Sequence, residues 1–236
     1  MNAVILMTRL PHPGATKTRL MPLLTPDQCA ELHEAFLKDV GRCLEALSPQ
    51  TALFIAFAPE HCSEALLRRL PTVGERFVQR GEALGDRMAH AFETVLGRGY
   101  DRVVLLGSDI PQLQPATIEG AFRELEEEDL VFGPTFDGGY YLVGMKRLHG
   151  AIFPKGLHWG NHSVLEETCR IANRLGLTAA LVEKQRDVDT PEDLKQLYHQ
   201  LAQGRETLPC FPAETYRYLA EYLGEDRHHG PLESAN

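Results

Sequence analysis

The chain has 236 residues, a formal net charge of −9, 43% hydrophobic residues and 24% charged residues. This is ordinary globular usage at a length that suits one α/β domain, which excludes disordered and fibrous classes. The acidic balance excludes broad binding to nucleic acid or anionic membranes, because no long basic stripe offsets phosphate repulsion.

In chain order, "AVILM" (3–7) is a short continuous apolar run with β-branched residues, the pattern of a parallel strand covered on both faces. It is too short for a bilayer span or a signal-peptide core, and Arg9 follows closely, so we read the chain as cytoplasmic, with no membrane insertion. Further strand-like runs occur at 51–58, 76–79, 102–107, 129–134, 140–145 and 179–183. Helical patterns lie between most of them. The clearest begins at "TPDQ", where Thr25 can cap, Pro26 suits the first turn and Gln28 can complete a capping box, and it is expected to run to about Leu47. Others are expected over 60–70, 84–96, 115–126, 161–175, 191–202 and 212–222. Strand and helix alternate, so the fold class is α/β. "FDGGYYLVG" breaks the alternation, because Asp137 and Gly138 offer a tight turn between two apolar runs; a hairpin here makes the sheet mixed. The domain is expected to span 1–223, and 224–236 has the composition of a mobile tail, where His228 and His229 are read as solvated surface. Five scattered cysteines (Cys29, Cys43, Cys62, Cys169, Cys210) form no C-x-x-C pair, which argues against a disulfide frame or a zinc site.

Charge is unevenly spread. Residues 1–26 carry Arg9, Lys17 and Arg19 with no carboxylate, whereas the remainder holds 21 basic against 33 acidic residues. The cations lie in "TRLPHPGATKTRL", a connection far longer than the roughly 2–6 residues usual between strand and helix. In an open α/β sheet, ligands sit beyond the carboxyl ends of strands. Gly14 allows close backbone approach, and Lys17 and Arg19 share parity, so an extended segment would point both to one side as a phosphate clamp. A Walker A loop is rejected for want of its second glycine before the lysine. The competing reading is a solvated basic loop stiffened by Pro11, Pro13 and Pro22.

"RVVLLGSDIPQL" sets Asp109 just past an apolar strand, a metal-ligand position at the sheet edge; the alternative is a turn aspartate before Pro111. In "RDVDTPEDL", Asp187 and Asp189 alternate so that an extended chain directs both to one face, while Asp193 is assigned to capping from Thr190. A hard cation such as Mg²⁺ (or Mn²⁺) takes one or two carboxylates plus substrate phosphate oxygens, which fits Asp109 and Asp189, with Asp187 as a further ligand, over a phosphate held by Lys17 and Arg19.

"PHPGATKTRL", "GEALGDRM", "GSDIPQL", "FDGGYYLVG" and "DVDTPEDL", in this order, resemble the bacterial DUF2064 family, often labelled glycosyltransferase-like or arsenosugar-biosynthesis glycosyltransferase. The resemblance covers about residues 3–200. It implies a GT-A, nucleotide-diphospho-sugar transferase fold: a Rossmann-like, mixed but mostly parallel sheet flanked by helices, similar to the molybdenum-cofactor and phospholactate nucleotidyltransferases. By this resemblance Gly14, Lys17 and Arg19 bind phosphates, Gly81, Leu84 and Gly85 lie near the nucleoside, and Asp109 is the metal-binding aspartate with Asp189 as partner. Arg9 stands near the position where most relatives carry a lysine and is a further candidate for contact with phosphate.

"DGGYY" would sit on the acceptor side, with Asp137 orienting or deprotonating an acceptor hydroxyl and Gly138 and Gly139 allowing close approach; the alternative is a plain hairpin turn. Trp159 would floor a sugar or simply pack, and neither His158 nor His162 is named catalytic. The expected function is a metal-dependent transfer of a sugar from a nucleotide sugar to a small-molecule acceptor, with Asp109, Lys17 and Asp137 as the candidate catalytic groups. The alternatives are nucleotidyl transfer with release of pyrophosphate, or a non-catalytic nucleotide-binding module.

Overall fold

A computed structural model describes residues 1–156, 159, 162–205 and 207–224. The expected tail from residue 225 onward, with His228 and His229, lies outside the described residues, as does His158.

The chain alternates as expected. Strand β1 (Asn2–Thr8) leads through a long loop into helix α1 (Pro26–Glu45). There follow β2 (Ala52–Phe57), α2 (Glu64–Leu67), β3 (Glu75–Val78), α3 (Leu84–Leu96), β4 (Arg102–Leu106) and α4 (Pro115–Glu127). The rest comprises β5 (Leu130–Pro134), β6 (Tyr140–Met145), α5 (Val164–Arg174), β7 (Ala179–Leu181), α6 (Pro191–Gly204) and α7 (Ala213–Gly224). The strands form one sheet in the order β3-β2-β1-β4-β6-β5-β7. Only β6 runs against its neighbours: it pairs antiparallel with β4 and with β5, the hairpin partner that precedes it.

Each face of the sheet is covered, which is why the central strands read as unbroken apolar runs. Val4, Leu6, Ile55 and Val104 pack with Leu37 and Val40 of α1 and with Ile118 and Phe122 of α4. On the opposite face Ala3, Ile5, Phe54 and Val103 pack with Met88 and Phe92 of α3 and with Ala172 of α5. The outer side of α1 carries Cys29, Leu32 and Phe36, which meet Leu194 and Leu197 of α6 and Leu219 of α7.

Caps set the helix boundaries. Thr25 and Gln28 form a reciprocal capping box with Pro26 in the first turn, so α1 starts where the sequence places it. The helix expected over 60–70 is a single turn, Glu64–Leu67. Ser63 Oγ accepts from Leu66 N at its start, while the Arg76 guanidinium takes the carbonyls of Leu67, Leu70 and Pro71, satisfying the chain end without further helix. Helix α7 is capped from a distance: buried Asp39 of α1 accepts from Glu214 N (3.1 Å) and Thr215 N (2.7 Å).

Candidate functional site

The carboxyl ends of β1 and β4 mark the point where strand order reverses, and there the sheet opens into a cleft of about 1040 Å³. The loop after β1 supplies Arg9, Gly14, Lys17 and Arg19; the turn after β4 supplies Gly107, Ser108 and Asp109; the hairpin supplies Asp137 and Gly139; the segment before α6 supplies Asp187 and Asp189. Four distant segments thus meet at one site.

The Lys17–Arg19 segment is not extended. Lys17 adopts the left-handed conformation (φ 48°, ψ 36°) and caps a short 3₁₀ turn, Thr18–Leu20. The two cations therefore diverge in exposure: the Lys17 side chain is 5% exposed and that of Arg19 66%. The Lys17 stem runs beside Phe36, whose ring lies 5.2 Å from the ammonium. That ammonium lies 2.5 Å from Asp109, 3.9 Å from Asp189 and 2.7 Å from the carbonyl of Val188. Arg19 pairs with Asp189 at 2.9 Å. The two cations of the expected phosphate clamp are thus held by carboxylates. Arg9 lines the same cleft, and its recorded side-chain bond is to a backbone carbonyl, that of Ala15 (3.3 Å).

Alternation around residue 188 explains the acidic wall. Val188 is buried in the helical cluster and its N–H bonds to Asp109 O, so Asp187 and Asp189 on either side face the cleft. Burial alone would raise the Asp109 carboxyl, but the Lys17 ammonium outweighs it and holds the group below the usual carboxylate range. Asp189 is raised, by burial first, with Lys17 opposing and Asp109 adding repulsion. Asp187 is pushed up to about 6 by burial, then by the charges of Asp137 and Asp189. Asp193 caps α6 with Thr190, in the role the sequence assigns it.

At the hairpin, Asp137 Oδ1 accepts from Thr135 Oγ1 (2.5 Å) and from Gly139 N (3.0 Å), so Asp137 makes the turn and lines the cleft as well. Gly138 does not line it. Its φ is +92°, and an added Cβ would collide with the backbone of His162, so glycine here permits close packing against the approach to α5. Gly81 and Gly85 also stand away from the cleft lining; a Cβ on Gly81 would strike Asp86 in the first turn of α3, whereas neighbouring Leu84 is 44% exposed and does line the cleft. Trp159 packs edge-on to Tyr140 (6.2 Å between centroids), and both rings face the cleft.

A family model described as "Uncharacterized protein conserved in bacteria (DUF2064)" matches residues 42–161, just over half of the chain. A provisionally named nucleotide-diphospho-sugar transferase of known structure from Desulfovibrio desulfuricans G20 is 32% identical, over 96% of this chain and 98% of that one, with a TM-score of 0.83. The chain belongs to the DUF2064 family. A 2-phospho-L-lactate guanylyltransferase from Methanobrevibacter ruminantium is 26% identical over 88% of this DUF2064 chain and 86% of the relative. The fold is shared with a CMP:2-keto-3-deoxy-manno-octonic acid synthetase complexed with CTP, at 14% identity, 86% and 99% coverage and a TM-score of 0.55.

The donor atoms of the DUF2064 cleft suit a hard divalent cation. Among the described residues no three His, Cys, Asp or Glu side chains stand as a ready cage. Mg²⁺ needs only one or two, completing its shell from phosphate oxygens and water. Asp187 and Asp189 are raised first by burial, with neighbouring carboxylates adding to it. Asp109, Asp187 and Asp189 together line the cleft with the oxygen donors such a cation takes, so their chemistry fits it.

Two residues escaped the sequence reading. His33 follows Leu32 on the apolar face of α1 and is buried beneath the loop; its position one turn after Cys29 and before Phe36 is the helical spacing that could have flagged it. Gln79, just past β3, gives both amide protons to carbonyls, Thr8 O (3.0 Å) and Ala56 O (2.8 Å), which fixes its Oε1 as the remaining acceptor of a cleft-lining side chain.

Proposed function

We propose that this DUF2064 protein transfers a sugar from a nucleotide-activated donor to a hydroxyl of a small acceptor. The fold and the relatives support a transferase that uses a nucleotide; the asymmetry of the cleft favours this acceptor. Ala58, Gln79, Leu84 and Met88 form one half, beyond β2 and β3, suited to a nucleoside. The other half carries Asp137, Tyr140, Trp159 and Asp187 and, among the described lining residues, no lysine or arginine. A phosphorylated acceptor is repelled there, whereas a hydroxyl on an apolar ring can lie against Tyr140 and Trp159 and donate to a carboxylate.

The roles follow from position. Arg9 and Arg19, on the loop between the two halves, contact donor phosphates, and Lys17 holds the two acid segments together beneath them. Asp109 and Asp189, with Asp187 beside them, would hold Mg²⁺ or Mn²⁺, which when bound supplies charge neutralisation to a departing diphosphate. Asp137, whose turn bonds engage only Oδ1, takes the acceptor proton.

The test is a panel of nucleotide sugars incubated with Mg²⁺ and candidate hydroxyl acceptors. Release of nucleoside diphosphate, abolished in Asp109→Asn, is the expected result; turnover unchanged in that variant would defeat the assignment. A second reading, nucleotidyl transfer, is favoured by three relatives named 2-phospho-L-lactate guanylyltransferase at 25–26% identity. Pyrophosphate release from an NTP would establish it instead.

A further inference from the structure

His33 lines the cleft and touches two of the segments that build the site, the loop after β1 and the turn after β4. It is 2% exposed, on the face of α1 that supports the long loop. Its Nδ1 lies 2.8 Å from Thr16 Oγ1, and its Nε2 lies 3.2 Å from both Thr8 Oγ1 and Ser108 Oγ. Thr8 Oγ1 also lies 3.2 Å from Ser108 Oγ and donates to Arg9 O at 2.9 Å.

Each hydroxyl is the chain neighbour of a charged cleft residue: Thr8 precedes Arg9, Thr16 precedes Lys17 and Ser108 precedes Asp109. The imidazole therefore bridges the end of β1, the cationic loop and the turn after β4. With Nε2 protonated, Thr16 gives its proton to Nδ1 and Nε2–H goes to Ser108 Oγ, while Thr8 Oγ1 donates to the Arg9 carbonyl and lies within donating distance of Ser108 Oγ. Both ring nitrogens then have a partner. Burial holds the ring neutral, pushing its pKa down to about 4.

An apolar side chain would have sufficed for packing, since Leu32 and Phe36 beside it are core residues. What a polar hub adds is register between loops. The loop after β1 is long, so fixing its conformation costs backbone entropy that local contacts must offset. We infer that His33 is a positioning residue for nucleotide binding, setting the register between the segments that carry Arg9, Lys17 and Asp109. The inference rests on reading the cleft as a nucleotide site.

Calorimetric titration of the full chain with GTP, CTP, UDP-glucose and GDP-mannose, each with Mg²⁺, tests it. For whichever nucleotide the wild type binds, His33→Leu is expected to raise Kd about tenfold, equivalent to about 1.4 kcal/mol, at a temperature where the variant is folded. His33→Gln, which keeps a polar group on the helix face, is expected to recover part of that loss. Thr16→Val should weaken binding alone and add nothing to His33→Leu, because both cut the same link. A lower melting temperature with an unchanged Kd would reduce His33 to a packing role and overturn the inference. If His33→Leu does not fold, Thr16→Val and Ser108→Ala decide: a raised Kd supports the hub, and an unchanged Kd in both overturns it. A wild type that binds none of the four nucleotides overturns the nucleotide reading and this inference together.

Discussion

The Lys17 side chain is 5% exposed, with carboxylates on one side and an aromatic ring on the other. Removing the charge leaves Asp109 and Asp189 facing each other without their shared counter-ion. Breaking a fully buried pair typically costs 3–5 kcal/mol; because both carboxylates are partly exposed, Lys17→Met is expected to cost about 2 kcal/mol, read from urea unfolding. Arg9 is the opposite case: exposed, and bonded to a carbonyl. Arg9→Ala should leave the melting temperature unchanged and weaken nucleotide binding by about tenfold, as expected for one charge-assisted phosphate contact. His33 gives a pH signature. Its folded pKa of about 4 lies below the unfolded 6.5, so between these values the unfolded chain binds the extra proton. Stability contributed by the neutral ring is therefore complete above pH 6.5 and falls as pH drops toward 4, by about 3 kcal/mol in all. Urea midpoints measured from pH 7 to 4 in the wild type and in His33→Leu should differ in slope; parallel curves would rule out a His33 origin.

At the scale of elements, a side chain on one helix completes another. Asp39 accepts two backbone protons at the start of α7 and also pairs with Arg42, so Asp39→Ala leaves those donors without their partner in a buried setting. The expected cost is about 3 kcal/mol, seen as a lowered melting temperature with nucleotide affinity intact, since α7 lies away from the cleft. The hairpin between β5 and β6 was legible because Asp137 and Gly138 sit between two apolar runs, a local signal. Its tether was not: Leu165 N bonds to Gly138 O (3.0 Å), a contact made by folding α5 against the turn. Helix 60–70 was overread because apolar spacing cannot show that the Arg76 guanidinium, from the following strand, takes the carbonyls at the end of α2.

Across the whole molecule, the cleft lies where β1 and β4 diverge in strand order, with Ala58, Gln79 and Leu84 lining it beyond β2 and β3 and Asp137 and Tyr140 lining it at the turn between β5 and β6. Ligands that bridge these halves should stabilise the fold as a unit. A nucleotide at about 100 times its Kd is expected to add about 2.7 kcal/mol by mass action, and thermal-shift measurements with and without Mg²⁺ check whether the cation contributes. Equal shifts in EDTA would remove the metal from the donor site. No helix among the described residues is long and apolar enough to cross a membrane.

Local pattern by itself determined the alternating elements, the capping box at Thr25, the acidic cap at Asp193 and the uneven charge that singles out the opening loop, because each depends on neighbours within a few residues. Only tertiary structure decided what the charges do. Parity predicted that Lys17 and Arg19 would point together, but the left-handed backbone at Lys17 buries one and exposes the other. The meeting of residues 17, 109 and 189 depends on strand order and loop path, and the role of His33 depends on three hydroxyls brought together from three segments. Such contacts join positions up to 172 residues apart in sequence, a separation over which no periodicity carries information.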